Sequence, residues 1–167
     1  MAGRAPVNAL ARHVGVEVVV IDVGCRSPLL PESSAHATVV ARRVRAGTDD
    51  ITERPAMSRA EAEAAVQVGI DVAREAAAAG VSLLGAGDIG VGGTTAAAAC
   101  LAAVAGMPGK LVAGRGSGVD DEGLARKIAA IDLAIARHRP DRDGLDLGEG
   151  CLVRLWTTGE HQNRKKR

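Results

Sequence analysis

The stretch Gly85-Ala-Gly-Asp-Ile-Gly-Val-Gly-Gly-Thr-Thr95 decides the fold of this chain. It follows the apolar run Val81-Ser-Leu-Leu84, which predicts a strand, and it leads into an alanine-rich helix expected over residues 94–105. A strand, a glycine-rich turn and a helix N-terminus in this order form an anion-binding loop, because the first helical amides have no partners within the helix. Thr94 is the expected N-cap of this helix, and Gly106 is its expected end.

The residues alone leave three interpretations of this loop open. Residues 85–90 fit the dinucleotide fingerprint G-x-G-x-x-G, but no acid lies between Asp88 and Asp120 to bind a ribose. Residues 87–94 have P-loop spacing, but Gly93 occupies the position of the phosphate-binding lysine. The third interpretation is a glycine turn that lets a helix and a strand pack closely. Asp88 favours a binding site, because an acid in an apolar, glycine-rich loop has no packing role.

The composition restricts the class of protein. With 167 residues the chain is long enough for one domain, and its net charge of +1 gives no reason to expect nucleic acid as a partner. A single Trp and the absence of Phe and Tyr leave no aromatic platform on which bases would stack. No apolar run reaches the roughly 18 residues of a membrane span, so we expect a soluble protein with no membrane partner.

The cysteines and histidines suggest neither a disulfide framework nor a metal site. Cys25, Cys100 and Cys151 are odd in number and far apart, which favours a reduced, cytoplasmic protein. Cys100 lies within the alanine-rich helix and is expected to be a small buried apolar residue. The four histidines form no ligand pair at helical or finger spacing, so we predict no metal site.

Upstream of the glycine loop, the pattern predicts strands. Val16-Glu-Val-Val-Val-Ile21 is rich in β-branched residues and is typical of a strand buried in a parallel sheet. Asp22 follows it, where its carboxylate either binds a ligand at the edge of the sheet or caps the next turn. Residues 37–44 fit an edge strand or a helix equally well, and Lys110-Leu-Val-Ala113 predicts a further short strand.

Two more helices are predicted from their ends. Ser58-Arg-Ala-Glu61 is a capping box that begins a helix over residues 58–79, and Gly80 ends it. Asp120 caps another helix that continues to residue 138. The apolar stripes of the two helices consist of Val66, Ile70, Ala73 and Ala77, and of Leu124, Ile128, Ile131 and Ile135. Lys127 falls between positions of the second stripe, and its simplest interpretation is a solvated lysine.

The repeated order of strand, loop and helix predicts an α/β fold, a parallel sheet with covering helices in a Rossmann-like three-layer arrangement. Gly114-Arg-Gly-Ser-Gly118 is a second glycine-rich turn after a predicted strand. Loops at the ends of successive parallel strands lie side by side, so we expect the two glycine-rich loops to hold a phosphoribosyl group between them.

Several motifs, taken together, are similar to those of one enzyme family. Residues 87–95 resemble Gly-Glu/Asp-Met-Gly-Ile-Gly-Asn-Thr-Thr, and residues 114–127 are similar to Gly-x-Gly-Thr-Gly-Leu-Asp-Asp-Glu-Gly-Leu-x-x-Lys. Both motifs belong to nicotinate-nucleotide–dimethylbenzimidazole phosphoribosyltransferases. Three further segments of this chain resemble segments of that family in the same order: residues 22–24, 45–51 and 55–59. The resemblance covers about residues 16–138.

The resemblance implies a glycosyltransferase of cobalamin biosynthesis. Such an enzyme moves the phosphoribosyl group of nicotinate mononucleotide to 5,6-dimethylbenzimidazole, giving α-ribazole 5′-phosphate and nicotinate. The resemblance implies no metal or organic cofactor, and it suggests a homodimer. Asp88 is the implied catalytic residue, facing the ribose and stabilising developing positive charge. The implied phosphate- and ribose-binding residues are Gly87, Gly90, Gly92, Thr94, Gly116, Ser117, Gly118 and Lys127.

The chain departs from the family in length and at Gly93, where the motif has Asn. Family members are much longer, so residues 1–139 are expected to form a partial phosphoribosyltransferase-like α/β domain with an incomplete sheet. Residues 140–167 are expected to be a divergent basic tail, with disorder as one alternative. Leu147-Gly-Glu-Gly150 resembles the start of the motif that carries the family's catalytic Glu, which makes Glu149 a second, weaker catalytic candidate. We therefore expect weak activity or none from this chain alone.

Two other functions remain open at this point. One is a non-catalytic module that binds nicotinate mononucleotide or α-ribazole phosphate, which an absence of turnover would favour. The other is a nucleotide-binding oxidoreductase domain, which stabilisation by NAD but not by the mononucleotide would favour. An incomplete sheet would also leave an exposed edge and an uncovered apolar face, so self-association is expected.

Overall fold

The sheet of this α/β fold consists of two parallel strands in the part of the chain that is described, residues 6–27, 37–88 and 90–140 of a computed structural model. Strand β1 (Val18–Asp22) pairs with strand β2 (Ala37–Ala41), and Val20 lies opposite Val39. The β-branched run therefore forms a strand as predicted. Residues 37–41 form a strand as well, which resolves the ambiguity left by their sequence.

Five helices accompany the sheet in the described residues. They are α1 (Pro6–Val14), α2 (Arg59–Ala78), α3 (Gly93–Ala105), α4 (Gly109–Val112) and α5 (Asp121–His138). The capping box of α2 is confirmed: the Ser58 amide donates to Glu61 Oε2 at 2.8 Å, and the Glu61 amide donates to Ser58 Oγ at 3.3 Å. Gly80 follows α2 with a φ of 83°, as a helix-ending glycine requires.

The start of α5 and the end of α3 are defined by local capping. Asp120 caps α5, accepting a hydrogen bond from the Gly123 amide at 2.7 Å. Gly106 ends α3 in the left-handed region with a φ of 64°. The expected N-cap of α3 is wrong, however, since that position is occupied by Gly92, which has no side chain. The hydroxyl of Thr94 instead accepts a hydrogen bond from Lys127.

Two predicted strands are not strands. Residues 81–88 are neither helix nor strand, and Leu83 is 89% exposed. A strand needs a neighbour for its amides and carbonyls, and the two-stranded sheet of the described residues offers none at this place. The other segment forms the short helix α4, whose first amide, that of Gly109, donates to Asp132 Oδ1 at 2.7 Å. This contact with α5 fixes a helical turn that the apolar pattern alone did not reveal.

Two apolar clusters hold the described residues together. One joins the alanine-rich helix α3 to α5 and the turn at Ile51; the other joins α2 to Val23 and Met57. Cys100 is buried in the first cluster, as expected. The small side chains of α3 let it approach α5 closely. The predicted stripes are buried only in part: Ile131 is fully buried, whereas the stripe of α2 is exposed at Val66 and Ile70.

We expect the substitution Asp120→Ala to destabilise the protein by about 1 kcal/mol, because α5 loses its N-cap. The melting temperature should fall by about 2–4 °C, which thermal unfolding followed by circular dichroism would detect. Glu122→Ala in the same helical turn is the matched control. It removes an exposed ion pair with Arg126 and one acidic side chain of the first turn but no cap, so it should cost less than Asp120→Ala. Equal losses in the two variants would show that Asp120 does not act as a cap.

Candidate active site

The two glycine-rich loops meet where α3 begins. A Cβ atom placed on Gly116, in the second loop, would lie 2.8 Å from the Oγ1 atom of Thr94, in the first turn of α3. Gly116 also has a φ of 57°, in the left-handed region that other residues rarely adopt. Glycine is therefore required at this position for two reasons, and the predicted contact between the loops is confirmed.

Lys127 of α5 connects the two loops. Its Nζ atom donates hydrogen bonds to Thr94 Oγ1 and to the Gly114 carbonyl, both at 2.8 Å. The residue is only 9% exposed, so its interpretation as a solvated lysine is wrong. Because Thr94 is not the N-cap of α3, its hydroxyl is free of that role and accepts from the lysine. The site is thus built by one side chain that ties α3, α5 and the second loop together.

The electrostatic state of Lys127 is unusual for a lysine. Burial lowers its pKa, because the ammonium group loses hydration. In the described part of the chain no carboxylate forms an ion pair with it, and both of its hydrogen-bond acceptors are uncharged. A buried cation without a counter-ion is costly, and an anionic ligand that reached it would relieve that cost. The junction of the two loops therefore favours an anion.

Asp88 lies against the start of α3. A Cβ atom placed on Gly93, the first residue of the helix, would lie 2.9 Å from Asp88 Oδ2. This places the carboxylate at the positive end of the helix dipole. The residue is exposed, as are most residues of the first loop, so solvent and ligands reach it. Asp88 therefore lies near the residues that Lys127 contacts, and its side chain remains exposed to solvent.

The remaining predicted site residues lie in the two loops. Gly87 and Gly90 are exposed in the first loop, and Gly92 is the N-cap of α3. Ser117 and Gly118 are exposed in the second loop. The turn is closed by the amides of Gly118 and Val119, which both donate to the Arg115 carbonyl at 3.1 Å. Glu149 lies outside the described residues.

Asp22 has a structural role. Its Oδ1 atom accepts hydrogen bonds from the amides of Gly24 at 3.1 Å and Cys25 at 2.8 Å, and its Oδ2 atom pairs with Arg43 at 3.3 Å. The side chain is 1% exposed. Of the two interpretations left open by the sequence, the structure supports the turn cap, since these contacts occupy both carboxylate oxygens.

Sequence reasoning missed two contributors to the second loop. The Gly114 carbonyl is an acceptor for Lys127, and Arg115 donates from Nη1 to the Val119 carbonyl at 3.0 Å while pairing with Asp121. A main-chain acceptor leaves no trace in a sequence. Arg115 carries a weak signal, since it precedes the acidic first turn of α5, to which a nearby cation is drawn.

Other parts of the described chain show no competing site of the same kind. A cleft of about 270 Å³ is lined by Arg42, Val68, Asp71, Arg74 and Glu75, none of which belongs to the glycine-rich loops. Its charges largely satisfy one another, since Arg42 pairs with Glu75 at 2.8 Å. Among residues 6–27, 37–88 and 90–140, no group of three His, Cys, Asp or Glu residues is arranged to hold a metal ion. No helix in this part is long and apolar enough to cross a membrane.

A family model described as phosphoribosyltransferase matches residues 1–150. The chain belongs to this phosphoribosyltransferase family. Its sequence is 49% identical over 146 residues to the nicotinate-nucleotide–dimethylbenzimidazole phosphoribosyltransferase of Roseiflexus castenholzii. It is 41% identical over 148 residues to the enzyme of the same name from Geobacter sulfurreducens. The resemblance drawn from the motifs is thereby confirmed.

The fold agrees with that of a solved phosphoribosyltransferase. The crystal structure of CobT from Thermus thermophilus matches 91% of this chain with a TM-score of 0.76 and 42% sequence identity. The matched part is 46% of the CobT chain. The match to the Roseiflexus relative likewise covers 87% of this chain but only 40% of that relative. The protein therefore spans less than half the length of these relatives, and its α/β fold is incomplete by comparison.

Proposed function

We propose that this chain binds the phosphate and ribose of nicotinate mononucleotide between its two glycine-rich loops, as part of a transferase for 5,6-dimethylbenzimidazole. The single observation that carries the proposal is the buried ammonium group of Lys127 at the junction of the loops, which has no carboxylate partner among residues 6–27, 37–88 and 90–140. The relatives named above act, by their names, on a nicotinate nucleotide and dimethylbenzimidazole. The product of such a transfer is α-ribazole 5′-phosphate, an intermediate of cobalamin biosynthesis.

The proposed roles follow the charges of the site. Lys127, the amides of Gly93 and Thr94 at the start of α3, and those of Gly116 and Ser117 in the second loop would hold the 5′-phosphate, because they offer positive charge and N–H donors to it. Asp88 would face the ribose and stabilise the positive charge that develops as the glycosidic bond breaks.

The transfer is a substitution at the anomeric carbon. One nitrogen of dimethylbenzimidazole attacks that carbon while a base takes the proton from its other nitrogen. The bond to nicotinate breaks, and its electron pair leaves with nicotinate. We propose Glu149 as a candidate for the base, and its place outside the described residues makes a substitution the direct test.

Release of nicotinate from nicotinate mononucleotide, with and without 5,6-dimethylbenzimidazole, tests the proposal. The wild-type protein should be compared with Asp88→Ala, Glu149→Ala and, as a control, Asp71→Ala on the exposed face of α2. Base-dependent release that Asp88→Ala abolishes and Asp71→Ala preserves would establish a working transferase. Binding without release would assign the chain the nucleotide-binding half of the site. The absence of both binding and release would refute the proposal.

We expect binding of the mononucleotide to weaken as the pH rises through the lowered pKa of Lys127, because the lysine then loses the charge that attracts the phosphate. The same shift makes folding more favourable with rising pH, since the unfolded chain retains the proton that the folded chain has lost. Isothermal titration at about pH 7.5 and about pH 10 would measure the difference in affinity. Lys127→Met should bind weakly and equally at the two values. A wild-type affinity that does not change would exclude Lys127 as the phosphate ligand.

We also propose that the protein acts in the cytoplasm and self-associates as a homodimer. Large apolar side chains favour association, since Leu83 is 89% exposed and Leu111 is 68% exposed. Light scattering on the purified chain at several concentrations would determine its oligomeric state, and a monomer throughout would contradict this part of the proposal.

A further inference from the structure

Gly93 is a glycine that the backbone does not require. It is the first residue of α3, and its φ is not in the left-handed region. Alanine is a better helix former than glycine, so helix propensity alone would favour a side chain here. A different reason is needed for the missing Cβ atom.

The space beside Gly93 is occupied by Asp88. A Cβ atom at residue 93 would lie 2.9 Å from Asp88 Oδ2 and 4.0 Å from Asp88 Cγ. Among the described residues, nothing else beyond the glycine's own helix and its chain neighbours comes within 4 Å of that position. The atom that would be displaced is the end of a flexible side chain, not a segment of backbone. A methyl group at residue 93 would therefore move the carboxylate and leave the helix in place.

We propose that Gly93 is a positioning residue for Asp88. The absence of a side chain lets the Asp88 carboxylate rest against the N-terminus of α3, where the helix dipole holds it next to the residue that Lys127 contacts, Thr94. In this arrangement the acid and the cation contact two successive residues in the first turn of α3, Gly93 and Thr94. This inference rests on the proposed function, since it concerns where the acid stands relative to a bound ribose.

The substitution Gly93→Ala should affect the binding of nicotinate mononucleotide and of inorganic phosphate differently. A displaced Asp88 carboxylate would no longer meet the ribose, whereas Lys127 and its two acceptors would be unchanged. Gly93→Ala should therefore weaken nicotinate mononucleotide binding by about 10-fold, the loss expected for one hydrogen bond to a charged group. Binding of inorganic phosphate should change by less than about 2-fold, because it depends on the lysine and the loop amides alone.

A double-mutant cycle with titration calorimetry tests the inference. Gly93→Ala, Asp88→Ala and the double variant should each lose the same affinity for the mononucleotide, because the side chain at residue 93 acts only through the acid. The inference is overturned if Gly93→Ala leaves the affinity intact, or if it lowers the affinity further in the Asp88→Ala background.

A second measurement distinguishes failure of this inference from failure of the proposed function. Thermal unfolding needs no ligand: Asp88→Ala should lower the melting temperature by about 1–3 °C in the wild-type chain, through loss of its contact with the helix N-terminus. In the Gly93→Ala chain it should lower it by less than half as much. If that coupling is present and no mononucleotide binds, the proposed function fails alone. If the coupling is absent, Gly93 does not position Asp88.

Discussion

Replacing Lys127 with methionine is expected to weaken binding of nicotinate mononucleotide by about 10- to 100-fold, the loss that follows from removing a hydrogen bond to a charged group. The Nζ atom lies at the junction of the two glycine-rich loops, where it donates to Thr94 Oγ1 and to the Gly114 carbonyl. Methionine is unbranched and of similar length, so it fills the space along α5 without the charge. Isothermal titration calorimetry would measure the loss directly.

Lys110→Met is the matched control for this substitution. Lys110 is an exposed lysine of α4, and losing it changes the net charge of the protein by the same amount. Its affinity for the mononucleotide should equal that of the wild type within about 2-fold, because exposed charges are screened by salt. A similar loss in both variants would mean that the ligand responds to overall charge and not to the buried amine.

Replacing Ile131 with alanine is expected to destabilise the protein by about 2–5 kcal/mol, since it leaves a cavity in the cluster between α3 and α5. Ile131 is fully buried. A loss of this size is a large part of the roughly 5–15 kcal/mol that stabilises an ordinary domain. Ile131 lies four residues after Lys127, so mononucleotide binding should be lost together with the fold. Urea denaturation followed by circular dichroism would report the change in free energy of unfolding.

Leu133→Ala provides the comparison within the same helix. Leu133 is 47% exposed, and removing its side chain should cost less than about 1 kcal/mol. Equal losses at the two positions would contradict the packing of α5 against α3 as described. A loss at Ile131 that leaves ligand binding unchanged would mean that the site does not depend on this packing.

The helices could be predicted from sequence because their signals are local. The capping box at Ser58, the cap at Asp120 and the glycines at positions 80 and 106 act within a few residues, and each is found where it was expected. The strand expected at residues 81–84 depends on a neighbouring strand that the pattern of that segment cannot supply. The helix α4 depends on Asp132, a residue distant in sequence. In both segments the secondary structure depends on contacts with residues distant in sequence, which a local pattern does not contain.

The sequence predicted which residues form the candidate site, but it predicted only some of the contacts between them. The contact between the two glycine-rich loops was expected because each was predicted to follow a strand of one parallel sheet. Neither of those segments is a strand, yet Gly116 against Thr94 shows that the loops do meet. The burial of Lys127 was also readable, because it lies three residues after Leu124 and four before Ile131, on the face of the apolar stripe. A lysine at that spacing is expected to be buried together with the stripe. The contact of Asp88 with Gly93 could not be predicted, because it depends on the backbone conformation of the loop between them.

Titration of the protein with nicotinate mononucleotide and, separately, with nicotinate riboside, which lacks the 5′-phosphate, tests the central claim most directly. We predict saturable binding of the nucleotide, at least about 10-fold tighter than that of the riboside and competed by inorganic phosphate, because the buried amine of Lys127 needs the phosphate as its partner. Equal affinities for the two compounds, or no binding of either, would contradict the claim that the two glycine-rich loops form a phosphate site.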